Sequence, residues 1–160
     1  MKTLVFCFAL ALPLAATAQS DSVRFEMSFS GMATLSDGTL ESSLFVRASR
    51  PLWRALSPEL SLGVDHRRKT ATFIYDLALR VDWPQPGWTP FALAGFGAES
   101  LIVGPFLTTR PLFTFGAGAL IPIVAGGFIR AEYQLQHVRA LAYPFNRHYF
   151  LIGIQLRWKK

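Results

Sequence analysis

The chain has 160 residues, of which 51% are hydrophobic and 16% are charged, and its formal net charge is +6. This length suits one domain, and the composition is more apolar and less charged than that of an average soluble domain. Beyond the N-terminus there is no apolar run of about 18 residues, which excludes a transmembrane helix. An apolar chain without such a run points to strands that cross a membrane as a barrel.

Residues 1–18 have the three parts of a secretory signal peptide. Lys2 supplies the positive charge, Leu4–Leu14 is a short apolar run, and residues 16–18 form a small-residue cleavage site. We therefore predict a signal peptide over residues 1–18 and one barrel domain over residues 19–160. The only cysteine of the chain lies in the signal, so the mature protein has no disulfide, catalytic thiol or cysteine-ligated zinc.

Eight segments of the mature chain alternate apolar and polar residues. A period of two is typical of strands with one apolar and one polar face. In the fourth segment, Phe73, Tyr75 and Leu77 alternate with the polar face that carries Asp76 and Arg80. The predicted strands are Val23–Gly31, Thr39–Ser49, Pro58–Arg67, Thr72–Trp83, Pro90–Glu99, Leu112–Ile123, Phe128–Val138 and Arg147–Lys160.

An even number of strands with alternating short and longer connections fits a single-chain outer-membrane barrel. With the N-terminus in the periplasm, the predicted periplasmic turns are Arg50–Ser57, Trp83–Thr89 and Val124–Gly127. The predicted external loops are Met32–Gly38, His66–Thr70, Ser100–Arg110 and Ala140–Arg147. The apolar Ser100–Arg110 is expected to lie on the membrane surface or to cap the barrel. All four tryptophans then fall at the periplasmic end, where an aromatic girdle is expected.

The polar faces carry opposite charges close together, as a buried network in a narrow lumen requires. The predicted pairs are Arg24 with Glu26, Arg47 with Glu41, Arg80 with Asp76 and Asp82, and Arg130 with Glu132. The predicted lumen network is Arg24, Glu26, Arg47, Asp76, Arg80, Arg130 and Glu132. An interior filled by side chains excludes a wide channel in an eight-stranded barrel. The structural alternative is a soluble lipocalin-like barrel, whose apolar face would point inward around a ligand.

Three stretches resemble a known family. They are Gly116-Ala117-Gly118, Phe128–Tyr133, and Tyr149–Trp158 with its central glycine. Together they resemble the small OmpA/OmpX-type outer-membrane barrels, a resemblance that implies a structural or envelope role without catalysis. The chain end also resembles the signal that such proteins present to the barrel-assembly machinery. It departs from that signal because Lys159 and Lys160 follow the aromatic residue, and because Leu151 stands at a usually polar position.

The stretch Gln136-His137-Val138-Arg139, followed by Asn146, is similar to the PagL-like lipid A deacylases. In that family a histidine and a serine two residues later lie on the outward face at the outer leaflet, so the resemblance implies His137 as a candidate catalytic residue. Arg139 stands at the serine position and provides no nucleophile for the histidine to activate. Ser100 is the nearest alternative by topology. The competing interpretation is that His137 and Arg139 lie at the headgroup boundary and contact phosphate.

Basic residues of the external loops are the predicted contacts with lipopolysaccharide phosphates. They are His66, Arg67, Arg68, Lys69 and Arg139. A solvated charged loop is the alternative for the first four. Three histidines without close spacing do not predict a metal site. In an exported barrel the positive charge indicates contact with anionic lipid rather than with nucleic acid.

The sequence thus predicts an all-β, eight-stranded antiparallel up-and-down transmembrane barrel. We expect a monomer in the outer membrane of a Gram-negative bacterium, folded without cofactor or metal. The expected partners are outer-membrane lipid, lipopolysaccharide and the barrel-assembly machinery, and not nucleic acid. The expected function is structural or envelope-associated, without catalysis. The alternatives are a divergent lipid A deacylase-like barrel and a soluble lipocalin-like binder.

Overall fold

A computed structural model describes residues 23–36, 39–53, 55–67, 70–103, 106–124, 126–140 and 143–159. The strands are β1 (Val23–Ser36), β2 (Thr39–Ser49), β3 (Leu56–Arg67), β4 (Thr70–Asp82), β5 (Thr89–Val103), β6 (Phe106–Val124), β7 (Gly127–Val138) and β8 (Phe145–Lys159). Each pairs antiparallel with its neighbours in chain order, and β8 pairs with β1 to close the barrel. The predicted fold class is confirmed. The predicted signal peptide lies outside the described residues, and within them no helix is long and apolar enough to cross a membrane.

Side chains alternate between the two surfaces of the barrel along each strand. On β4 the exposed side chains are Phe73, Tyr75, Leu77 and Leu79. Between them the charged Asp76 and Arg80 are buried, at 3% and 0% exposure. An apolar outer surface around a polar interior is the arrangement of a barrel in lipid. A lipocalin-like binder requires the reverse, so that alternative is wrong.

The hairpin that joins β5 and β6 replaces the predicted loop Ser100–Arg110. The ladder continues from Ser100↔Thr109 to Val103↔Phe106, so the loop prediction is wrong. The segment is apolar at consecutive positions, so the period of two ends before it. β-branched and aromatic residues nevertheless pair well in a hairpin whatever their period.

The other predicted external loops are also shorter than expected. β1 continues to Ser36, β3 and β4 reach Arg67 and Thr70, and β8 begins at Phe145. These extensions hold apolar residues such as Met32, Leu35 and Phe145 as well as polar ones. They form ladder pairs next to the turns, because backbone hydrogen bonding does not depend on side-chain polarity.

The connections fall at two ends of the barrel. One end, here the turn end, holds the β2–β3, β4–β5 and β6–β7 connections and both termini of the barrel. The other, the loop end, holds the β1–β2, β3–β4, β5–β6 and β7–β8 connections. Trp53, Trp83, Trp88 and Trp158 all lie at the turn end. The predicted grouping of the tryptophans at one end of the barrel is confirmed.

The closing ladder between β1 and β8 runs from Val23↔Lys159 to Gly31↔Ile152 and places Gly153 opposite Ser30. A Cβ at Gly153 would lie 1.9 Å from the carbonyl oxygen of Phe29 and 2.6 Å from the Cβ of Ser30. Directly opposed Cβ atoms are normally about 4.5–5.5 Å apart. Only a glycine fits this approach, which lets the sheet curve tightly where the barrel closes.

We expect Gly153→Ala to destabilise the barrel by about 1–3 kcal/mol, because the added methyl group meets backbone atoms that cannot move away. Gly116→Ala is the matched control, since a Cβ there first meets the flexible side chain of Leu93 at 3.1 Å. Urea unfolding in lipid vesicles, followed by the mobility of unheated samples in electrophoresis, compares the two variants. Equal losses of stability would contradict the role of Gly153.

Candidate functional site

The centre of the lumen is the carboxylate of Glu59 on β3. Arg130 donates two hydrogen bonds to it, at 2.7 and 2.8 Å, and Arg80 donates one at 3.0 Å. The Nε atom of Arg47 lies 3.5 Å from the same carboxylate. All three arginine side chains are buried, at 1% exposure or less. One carboxylate therefore joins guanidinium groups from β2, β4 and β7 across the lumen.

Further carboxylates complete the charge balance around these arginines. Arg80 contacts Glu26 at 2.5 Å and Asp82 at 2.8 Å. Arg130 contacts Glu132 at 2.7 Å. A buried guanidinium is tolerated only when carboxylates and hydrogen bonds replace the water it has lost. These contacts supply that replacement for Arg80 and Arg130, whereas Nε and Nη2 of Arg47 have no hydrogen-bond partner among the described residues.

The predicted network is only partly the one that the structure forms. Asp76 is buried in the lumen, but Arg80 contacts Glu26, Asp82 and Glu59 instead. Asp76 Oδ2 has no hydrogen-bond partner among the described residues. The expected pair of Arg80 with Asp76 is therefore wrong. The side chains of Arg24 and Glu41 lie outside the described part of the structure.

Glu59 is the residue that the sequence reading missed. In the third predicted strand Glu59 has the parity of the polar, inward face. That parity places it in the lumen, but it does not show which arginines its carboxylate meets. Gln155, which donates to Glu26 at 2.9 Å, and Arg157, which donates to it at 2.6 Å, were also missed.

An apolar layer lies in the lumen between the charged cluster and the loop end. Its buried members are Phe45, Ile74, Leu112, Val138, Tyr149 and Leu151. The rings of Phe45 and Tyr149 meet edge to face at 5.5 Å. Side chains thus cross the lumen at two levels, as an eight-stranded barrel permits. The described lumen is filled rather than open.

Two polar pairs interrupt the apolar outer surface of β7 and β8. His137 Nδ1 lies 2.8 Å from Asn146 Oδ1, and Tyr133 Oη lies 2.6 Å from His148 Nδ1. A carboxamide oxygen only accepts hydrogen bonds, so His137 donates through Nδ1. The first pair is directly opposed in the β7–β8 ladder. We call these four residues the polar island.

The polar island lies at the boundary of the hydrocarbon layer that is nearer the loop end. His148 precedes Trp158 by ten positions in β8, and a tilted strand crosses the hydrocarbon in about 9–11 residues. With Trp158 at one interface, His148 reaches the other. Arg139 directly follows the end of β7 and is exposed, so it lies at headgroup level.

Neither of the two positions considered for a nucleophile, 139 and 100, supplies a hydroxyl group beside His137. Arg139 has no hydroxyl, and its backbone N–H donates to the Pro111 carbonyl at 2.9 Å. Ser100 bonds Thr109 at 3.0 Å and lies on β5, which β6 separates from His137. Among the described residues, no group of three histidine, cysteine or acidic side chains is placed to hold a metal ion.

The loop end turns its described carboxylates inward. Glu99 is fully buried and pairs with Arg147, with Arg110 at 3.9 Å. Asp65 is also buried and accepts hydrogen bonds from Ser43 at 2.9 Å and Tyr149 at 3.1 Å.

Two of the predicted phosphate contacts have described side chains. His66 and Arg139 are both exposed at the loop end. Arg68 and Lys69 lie outside the described residues, as does the side chain of Arg67. The charge that the described loop end presents to its surroundings is therefore basic.

No family model and no curated protein matches the sequence. The N-terminal barrel domain of OprF from Pseudomonas aeruginosa superposes with a TM-score of 0.65 at 14% identity, over 84% of this chain and 96% of that one. Neisserial surface protein A gives 0.64 at 11%, over 84% and 94%. The Yersinia pestis outer membrane protein Ail gives 0.56 at 12%, over 84% and 98%. The chain has the fold of small outer-membrane barrels. At these identities the similarity shows the fold alone, so the finer OmpA/OmpX-type assignment stays a prediction.

We expect Glu59→Gln to destabilise the barrel by about 3–5 kcal/mol, because it leaves buried guanidinium groups without their shared anion. Asp82→Asn is the control, since Arg80 keeps Glu26 and Glu59, and its effect should be smaller. Equilibrium unfolding in urea, followed by tryptophan fluorescence in vesicles, measures both. A larger loss from Asp82→Asn would contradict the central place of Glu59.

Proposed function

We propose that this protein is a structural, non-conducting barrel of the Gram-negative outer membrane that contacts lipopolysaccharide through its loop end. The observation that carries the proposal is the filled lumen, in which Arg47, Arg80 and Arg130 surround Glu59. A filled lumen leaves the outer surface and the loop end as the working surfaces. The fold similarity to outer-membrane barrels supports the location.

The proposed phosphate contacts are the basic residues of the loop end. They are His66, Arg67, Arg68, Lys69 and Arg139. Guanidinium and ammonium groups at headgroup level bind the phosphates of anionic lipid with charge-assisted hydrogen bonds. The barrel-assembly machinery would insert the chain through its C-terminal strand, and the inserted protein would act as a monomer.

We expect the inserted protein to give no steady ionic current in a planar bilayer, because charged and apolar side chains block its lumen at two levels. Insertion is checked by the changed mobility of the heated protein in electrophoresis. Reproducible current steps from the wild-type protein would overturn the non-conducting part of the proposal.

We expect the protein in nanodiscs to bind lipid A, with affinity that falls as the salt concentration rises. Replacing His66, Arg67, Arg68, Lys69 and Arg139 with alanine should weaken binding by about tenfold or more. Arg50→Ala is the control, because Arg50 is an exposed arginine near the turn end. Native mass spectrometry with lipid A and with its dephosphorylated form provides the comparison. Equal binding of the two forms would contradict a phosphate site.

A second candidate, a lipid A deacylase, is favoured by one contact. Asn146 orients the imidazole of His137 at 2.8 Å, as the partner of a general base would. Mass spectrometry of the protein with lipid A would also detect a released acyl chain. We do not expect this release, because Arg139 lacks a hydroxyl. Release that His137→Ala abolishes would establish this candidate instead.

A further inference from the structure

The end of the β5–β6 hairpin carries exposed apolar side chains on both faces. Ile102 and Leu107 are opposed on the outward face, at 40% and 66% exposure. On the other face Leu101 is half-buried and Phe106 is 74% exposed. We call these four residues the apolar tip. An exposed cluster of this kind marks an interaction surface.

The apolar tip extends well beyond the hydrocarbon layer of the protein's own membrane. β6 is 19 residues long, whereas a strand crosses the hydrocarbon in about 9–11 residues. The surplus of about eight residues lies mainly at the loop end and extends on the order of 20 Å along the strand. The ladder between β6 and β7 already ends at Leu112↔Val138. Between Phe106 and Arg110, β6 therefore has β5 on one side and no described strand on the other.

A polar band separates the apolar tip from the lipid-facing surface. On the outward face, the hydrogen-bonded pair of Ser100 and Thr109, at 3.0 Å, lies between Phe113 and the apolar tip. On the inward face at the same level, Glu99 contacts Arg110 and Arg147. The apolar tip is therefore a separate surface and not the upper edge of the hydrophobic belt.

The chemistry around the apolar tip matches an anionic lipid surface. Apolar side chains on both faces of a hairpin end favour surroundings that can contact both faces, as lipid does. The neighbouring charges that reach solvent among the described residues are cations, the half-buried Arg110, at 29% side-chain exposure, and the exposed Arg139. Glu99, the nearest described carboxylate, is buried and neutralised. Apolar side chains next to cations are the pattern of surfaces that bind anionic membranes.

We propose that the apolar tip inserts into the interface of a second, anionic lipid bilayer and so holds two membranes together. The inference goes beyond the phosphate contacts with the protein's own membrane, because it concerns apolar residues that lie beyond the hydrocarbon layer of that membrane.

In the test, the protein is held in nanodiscs of uncharged lipid, which are mixed with empty vesicles. The measurement is the fraction of nanodiscs that float together with the vesicles. The nanodiscs should float with vesicles that contain phosphatidylglycerol, and less with vesicles of phosphatidylcholine alone. The Phe106→Ser/Leu107→Ser variant should reduce flotation by about tenfold or more. Ile123→Ser/Val124→Ser is the matched control, because these residues are 51% and 70% exposed at the turn end of the same strand. It should float like the wild type.

A second variant reads the insertion directly. The tryptophan fluorescence of the Phe106→Trp variant should be quenched when brominated lipid is present only in the vesicles. The quenching reports on position 106, because the protein's own tryptophans lie at the turn end. Absence of flotation, flotation that the apolar-tip variant retains, or absence of quenching would each overturn the proposal. Nanodiscs that pair with one another without vesicles, and lose this pairing in the apolar-tip variant, would assign the surface to a second copy and overturn it as well.

Discussion

The barrel depends on the contact of one buried carboxylate, Glu59, with guanidinium groups from three other strands. A buried ion pair adds little net stability. It nevertheless constrains the positions of its two groups strongly, because an unpaired buried charge is costly. A slip of one residue in the register of β2, β4 or β7 would send Arg47, Arg80 or Arg130 into the lipid. Each exposed arginine would cost roughly 2–4 kcal/mol near the middle of the bilayer. The charged lumen therefore selects one register for the whole sheet.

The same contact occupies the inside of the barrel. The charges and the apolar layer above them fill the lumen, so neither solute passage nor a lumen ligand site follows from this arrangement. Two exposed features lie on the outside of the barrel near the loop end. The polar island of Tyr133, His137, Asn146 and His148 marks the hydrocarbon boundary. Beyond it the β5–β6 hairpin carries apolar residues away from the membrane.

Much of the fold could be predicted from the sequence, because a period of two reports which residues share a face. It assigned Phe73 and Arg80 to opposite surfaces, and it brought the tryptophans to one end. It could not find Glu59 as the shared anion, since contacts across a lumen depend on strand stagger, which no local pattern encodes. The hairpin at residues 100–110 was missed for a related reason. A strand that is apolar on both faces has no period, so Ile102 and Phe106 read as a loop.

The most direct test of this account is the environment of neighbouring positions on β4. Nitroxide labels attached to single cysteines at Leu77 and Ala78 can be compared in vesicles for collision with oxygen, which partitions into lipid, and with a water-soluble nickel chelate. A barrel with lipid outside and a filled charged lumen predicts high oxygen accessibility at Leu77 and low accessibility to both agents at Ala78. Oxygen accessibility at Ala78 and nickel accessibility at Leu77 would contradict it.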